Sequence, residues 1–141
     1  MVIDAISNGI VLDHIRAGLS LELYNILGLD SLQCSVALLR NVSSRKMGRK
    51  DIIKIDEIID LNFDVLGYVD PGITVNIVRD GKLDRKFRVE LPERVENVIR
   101  CKNPRCITST EQELPHIFKL TDKENRIYRC IYCETRAKGR A

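Results

Sequence analysis

Two short stretches, CKNPRC at 101–106 and CIYC at 130–133, limit most sharply what this chain can fold into. They hold four of its five cysteines, spaced Cys101-x4-Cys106 and Cys130-x2-Cys133, with 23 residues between the pairs. Two close pairs on separate turns can close a tetrahedral all-sulfur site, as in a small β-rich zinc-ribbon or rubredoxin-like module. Four thiolates suit zinc or iron by softness. Zinc, one structural ion per chain, is expected because a site closed by four thiolates leaves no position for a substrate. The other reading, two disulfides, needs an oxidising compartment. The opening MVIDAISNGIVLDH has no basic stretch leading into an apolar one. The expectation is therefore a reducing cytoplasm. A segment of about 50 residues buries little apolar surface, so the ion is expected to supply much of its folding energy. Cys34, inside an expected strand, reads as a small buried hydrophobe. His116 falls outside the pair spacing and reads as an ordinary histidine.

At 141 residues, 44% hydrophobic and 30% charged, the rest of the chain has the composition of a globular protein. No apolar run reaches the ~20 residues of a membrane-spanning helix. Charge divides unevenly, with 12 basic and 13 acidic residues over 1–91 against 11 and 7 over 92–141. A basic tail raises the rival of a zinc-ribbon protein on nucleic acid. Thiolates around a divalent ion offset part of that charge, and with 4 Tyr, 3 Phe and no Trp the stacking residues of such a protein are scarce. Neither nucleic acid nor membrane is the expected partner.

Hydrophobic periodicity divides the chain at about residue 91. VIDAI alternates as a strand, Gly9 interrupts it, and IVLDHI continues extended. In GLSLELYNILGLD, residues Leu19, Leu23, Ile26 and Leu27 share a helical face, with Ser20 as N-cap and Gly28 as the stop. SLQCSVALLRNV and IIKIDEI form strands around the connection SSRKMGRKD, and NFDVLGYVD a second helix. Asp70-Pro71-Gly72 is a turn, and ITVNIV and KFRVEL pair across the Asp-Gly turn in RDGK. The order is that of a ferredoxin-like antiparallel α+β sandwich with one added strand. LPERVENVIR then serves as a linker. The expected domains are 1–91 and 92–141.

No serine elbow, phosphate-cradling loop or paired-carboxylate motif is present. A small nucleotide-acting enzyme is therefore the weaker rival. Asp13-His14 after the first strand, Arg49-Lys50 and Lys54 around the return strand, and Lys82, Arg85 and Lys86 after the Asp-Gly turn give cations for a polyphosphate and a carboxylate for a ribose. By composition alone such scattered lysines are more often a solvated face.

GIVLDHI at 9–15, MGRKDIIKI at 47–55, TVN at 74–76, LPERVENV at 91–98, and CKNPRC with CIYCE together resemble the regulatory chain of aspartate carbamoyltransferase, over nearly the whole length. The resemblance implies a non-catalytic subunit controlling pyrimidine biosynthesis. Its allosteric domain would bind ATP, CTP and possibly UTP, and its zinc domain would dock on the catalytic chain. It further implies regulatory homodimers and an assembly of six catalytic and six regulatory chains. The implied nucleotide site takes the base edge on the backbone of Ile3, Asp4, Ala5 and Ile6. Asp13 and His14 would lie near sugar and phosphates, Lys54 at the ribose and Lys86 on the phosphates. Asn76, Val78 and Leu83 would form the wall, and Lys50 would face a second nucleotide. Asn103, Arg105 and Glu134 are the implied contacts with the catalytic chain. The chain departs from the family pattern at Gly81, where an aromatic is expected, and in a short N-terminal lead, which bears on UTP synergy.

Overall fold

The computed structural model describes residues 7–111 and 113–137 and divides into two units, Met1–Glu90 and Leu91–Ala141. The strand expected at 2–6, and with it Ile3, Asp4, Ala5 and Ile6, lies outside the described residues.

The first unit runs β1 (Gly9–Arg16), α1 (Ser20–Ile26), a 3-10 turn (Leu29–Ser31), β2 (Val36–Ser44), β3 (Gly48–Ile55), α2 (Phe63–Val69), β4 (Thr74–Arg79) and β5 (Lys82–Arg88). These strands form one antiparallel sheet in the order β2-β3-β1-β4-β5. The first four strands and two helices are the expected ferredoxin-like sandwich, with β5 added at the edge. Gly9 does not interrupt this strand but begins it, paired with Val78. Asp13 and His14 accordingly lie inside a strand rather than after one.

Strict alternation sorts the side chains. Ile10, Leu12 and Ile15 of β1, Ile53 and Ile55 of β3, and Val75 and Ile77 of β4 are buried with Leu23 of α1 and Val65, Leu66 and Val69 of α2. This is the helix-covered face. Residues between them, among them Val11, Asp13, Lys50, Ile52, Lys54, Asn76 and Val78, are half-buried on the open face.

Two bulges sit side by side. Between Leu12↔Ile53 and Ile15↔Asp51, strand β1 carries one residue more than β3; between Leu39↔Ile52 and Val42↔Lys50, so does β2. Each bulge holds a residue with left-handed backbone, His14 at φ 57° and Asn41 at φ 59°.

Ser20 is not the N-cap of α1: Leu19 is, and no side chain caps it locally. Asp51 of β3 does so from a distance. Its Oδ2 accepts the backbone N–H groups of Gly18 (2.9 Å) and Ser20 (3.1 Å), and its Oδ1 accepts that of Asn41 in the second bulge (2.8 Å). Gly28, at φ 66°, follows the C-cap Leu27 as expected. Of the expected apolar face, Leu23 is fully buried but Ile26 is exposed. The N-cap of α2, Asn62, accepts from the N–H groups of Asp64 and Val65. Asp80 (φ 50°) and Gly81 (φ 76°) make the β4–β5 hairpin turn.

The second unit holds β6 (Arg94–Glu96), α3 (Ile107–Thr110), β7 (Ile117–Asp122) and β8 (Ile127–Cys130), with the sheet in the order β6-β7-β8. The stretch expected as a linker therefore supplies a strand. Three residues are too few to show a period, and what holds them is Val95, buried opposite Phe118. Val95, Phe118, Tyr128 and Ala137 make a small core, completed by Cys106 and Cys130. The Tyr128 hydroxyl donates to the Pro92 carbonyl at 2.6 Å.

Candidate functional site

The loop before α3, the end of β8 and the turn after it bring all four paired cysteines together, with their Sγ atoms within 4.8 Å of one another. Cys101 and Cys133 lie 3.5 Å apart and Cys106 and Cys130 3.7 Å apart. A disulfide needs about 2.05 Å. Four sulfurs about 2.3 Å from a central ion in a tetrahedron stand about 3.8 Å from one another, so the quartet fits a tetrahedral metal and not two disulfides.

The surroundings favour thiolates at particular atoms. The second cysteine of each pair is followed two residues on by threonine, whose Oγ1 lies 3.1 Å from the sulfur: Thr108 at Cys106 and Thr135 at Cys133. Burial pushes the Cys133 thiol up, but the Thr135 hydroxyl and amide, Cys101 and Asn103 outweigh it and hold it at about 6. Burial pushes Cys101 up to about 12 against the Asn103 amide, and it raises Cys130 against the amides of Cys133 and Tyr132. Amides aimed at the sulfurs and threonines beside them are the second layer a thiolate site needs. Cys34, free and half-buried, stands apart in the first unit. His116 is structural: its Nδ1 accepts the Cys101 amide at 3.3 Å, and its own amide donates to Asn97 Oδ1 at 2.9 Å.

The open face of the first sheet gathers the other candidates. Lys54 pairs with Val11, Val11 with Asn76, and Asn76 with Lys86, so the four stand in one row across four strands. At about 4.8 Å per strand, the two lysines are rooted about 14 Å apart. Asn76 is fixed by donating to the Val11 carbonyl at 3.3 Å. Val78 and Leu83 pair beside this row, Leu83 being 58% exposed. On the other side the β1 bulge turns out Asp13 and His14. Asp13 holds Lys50 at 2.9 Å, and His14 Nδ1 meets Thr74 Oγ1 at 3.1 Å. Burial raises the Asp13 carboxyl, but Lys50 and the His14 amide bring it below its ordinary value. The face thus presents separated cations, one clamped carboxylate and an apolar strip. Thr74 belongs to the set; in the sequence it stands only as part of the TVN stretch and not as a site residue.

Of the expected docking residues, Asn103 is turned inward: its Oδ1 accepts the Arg105 amide and its carbonyl accepts the Cys106 amide and the Ser109 hydroxyl. Arg105 and Glu134 are exposed, and Glu134 has left-handed backbone at φ 63°.

An α+β sandwich with separated cations on its open face, followed by a small module that gathers four cysteine sulfurs at metal-site spacing, defines a two-domain chain with a metal-binding second domain. The family model for the allosteric domain of the aspartate carbamoyltransferase regulatory chain matches residues 1–90, and that for its metal-binding domain residues 93–141. The chain belongs to the aspartate carbamoyltransferase regulatory chain family, whose members are non-catalytic subunits. Relatives of that name include one from Clostridium tetani, 53% identical over 95% of this chain and 94% of its own length. Another, from Clostridium acetobutylicum, is 48% identical over 99% and 95%, and one from Bifidobacterium longum 43% identical over 98% and 99%. No helix among the described residues is long and apolar enough to cross a membrane.

Proposed function

We propose that the chain binds a nucleoside triphosphate on the open face of its first sheet and, through a zinc-held second domain, passes that binding to a catalytic chain. The observation that carries this is the row Lys54–Val11–Asn76–Lys86 beside the Asp13–Lys50 pair and His14. In this reading Lys86 takes phosphate oxygens, Lys54 and Asp13 the ribose side, and His14 the phosphates or sugar. Asn76, Val78 and Leu83 form the wall, and backbone groups of residues 3–6 read the base. Lys50, already held by Asp13, faces a second nucleotide. ATP and CTP are the proposed effectors, with UTP a further one, and the pathway under control is pyrimidine synthesis in the cytoplasm. Zinc is the proposed ion on Cys101, Cys106, Cys130 and Cys133. It makes no bond to substrate; it holds the docking loops, including Asn103, Arg105 and Glu134, in shape. Regulatory chains pair through their first domains, and six join six catalytic chains.

An effector shifts the assembly only by binding its two forms unequally, with a coupling of about 1–3 kcal/mol. Calorimetric titration of ATP and CTP into the assembled complex tests the site. Lys86→Gln and Lys54→Gln are each expected to weaken binding about tenfold or more, because a hydrogen bond made by a charged group, to a phosphate oxygen or to a ribose hydroxyl, contributes ~1.5–3 kcal/mol. Unchanged affinity in both variants would remove this face from the reading.

A further inference from the structure

We propose that Asn8–Gly9 is a modification site: Asn8 loses its side-chain amide to attack by its own backbone, and the isoaspartate formed unties the start of β1 from the β4–β5 turn. Asn8 is the one of the chain's eight asparagines that glycine follows; the others precede Ile, Val, Phe, Pro or Arg. In the step, the backbone nitrogen of Gly9 attacks Cγ of Asn8. A C–N bond forms, the side-chain nitrogen leaves as ammonia, and a cyclic imide remains. Water opens that ring at either carbonyl, giving aspartate or isoaspartate, so the sum is asparagine plus water to acid plus ammonia. A side chain on the following residue crowds this attack, and glycine has none. The fold adds a donor where charge develops. Asp80 donates its backbone N–H to Asn8 Oδ1 at 3.1 Å, and that oxygen turns anionic as the nitrogen adds to Cγ. Asn8 is exposed. Gly9 is buried but is the first residue of β1, so fraying of one strand end frees its nitrogen without opening the sheet.

The surroundings decide what each product does. Asn8 lies between two anchors on the β4–β5 hairpin: the Ser7 carbonyl accepts the Gly81 N–H at 2.8 Å, and Gly9 pairs with Val78. Isoaspartate routes the main chain through the former side chain and so adds one methylene between these anchors. Its carboxylate then sits on a shorter arm and withdraws from the Asp80 N–H. Both anchors cannot keep register across the added length, and the outer one, Ser7–Gly81, yields because Gly9 is held within the sheet. Aspartate keeps the main chain unchanged and still offers the Asp80 N–H an acceptor. One product therefore releases the turn at Asp80–Gly81 and the other preserves it. Beside that turn stand Val78 and Leu83, a pair on the open face. In the proposed nucleotide site residues 3–6 read the base, and the added methylene shifts them relative to Lys54 and Lys86; this consequence alone rests on that reading.

The test ages the zinc-loaded full chain, folded, at mildly alkaline pH. Peptide mass mapping with electron-transfer fragmentation then separates isoaspartate from aspartate. The expected result is replacement of the side-chain NH2 by OH at Asn8, with the other asparagines intact. It should run faster as pH rises, because the attacking nitrogen must lose its proton. Asp80–Gly81 can close the same imide, but from a carboxyl and so without change of mass. Amide exchange on the aged chain should show protection lost at Asp80 and Gly81 and kept at Ile53, Val75 and Ile77. Asn8→Gln, whose longer side chain closes the ring poorly, should age without either change, and Asn8→Asp should keep the turn protected when fresh. ATP should bind the aged chain about tenfold more weakly than the fresh one, the loss expected for one or two neutral hydrogen bonds. Asn8 unchanged in the folded chain, while the same chain in urea converts, would overturn the site. Isoaspartate at Asn8 with Asp80 and Gly81 still protected would overturn its effect on the turn. A fresh chain that binds no ATP would remove the nucleotide reading and leave the modification site standing. Equal ATP binding before and after ageing would overturn the shift of residues 3–6.

Discussion

Asp51 carries more structure than any other charged residue among those described in the first unit. Fully buried, it accepts three backbone N–H groups from two separate segments. Burial alone raises its carboxyl, but the amides of Asn41, Ser20 and Gly18 outweigh it and leave it below its ordinary value. The folded state therefore gains from the charged form. That gain is complete above the unfolded value of about 3.9 and disappears as pH falls through the lower folded value. Asp51→Asn is expected to cost about 1–3 kcal/mol in urea unfolding near neutral pH and to flatten the loss of stability below about pH 4. Equal stability of variant and wild type across that range would refute it. At the metal site, Thr135→Val is expected to lower zinc affinity about tenfold in competition with a chromophoric chelator. The sequence announces these residues unequally. The cysteine quartet stands out because ligand spacing is local, and the Cys-x-Thr repeat at 106–108 and 133–135 is as plainly written once the sulfurs are known. Asp51 has no such mark, because its three donors come from positions 18, 20 and 41 and meet it only in the fold.

Elements were legible where a local rule specified them. Asn62 caps α2 with its own side chain, and the Asp-Gly turn joins β4 to β5, as their residue types dictate. Asn62→Ala should cost about 1 kcal/mol. Gly81→Ala, at φ 76°, should cost about 1–2 kcal/mol; the ideal Cβ meets nothing within 4 Å, so the cost is one of backbone conformation and not of crowding. Thermal unfolding of each variant checks both. Two features stayed hidden. Three-residue β6 is too short for a period and is recruited by one buried valine. The start of α1 is set by a carboxylate on β3, so a serine in the expected capping position became the first helical residue instead.

At the scale of the molecule, the two units have unequal means of staying folded. The first has a core drawn from three central strands and both helices; the second has a few large apolar side chains and two buried cysteines. Stripping the metal should abolish amide-exchange protection in β6, β7 and β8 while β1, β3 and β4 stay protected, and it should release the chain from its catalytic partner. Uniform loss across both units would contradict this. The division into an α+β sandwich and a cysteine module was readable because the two differ in period and composition. The open face of the first sheet was readable only in part, since its row of residues is assembled from four strands. The paired bulges also bear on how this chain can diverge. β1 and β2 each hold one extra residue against the same short stretch of β3, and one carboxylate ties both β2's extra residue and the loop after β1. Deleting either extra residue would invert the inside–outside order of a strand end and pull a tied amide away. Descendants can therefore gain or lose residues freely in the turn at 45–47, whereas 12–15 and 39–42 must keep their length while their side chains drift.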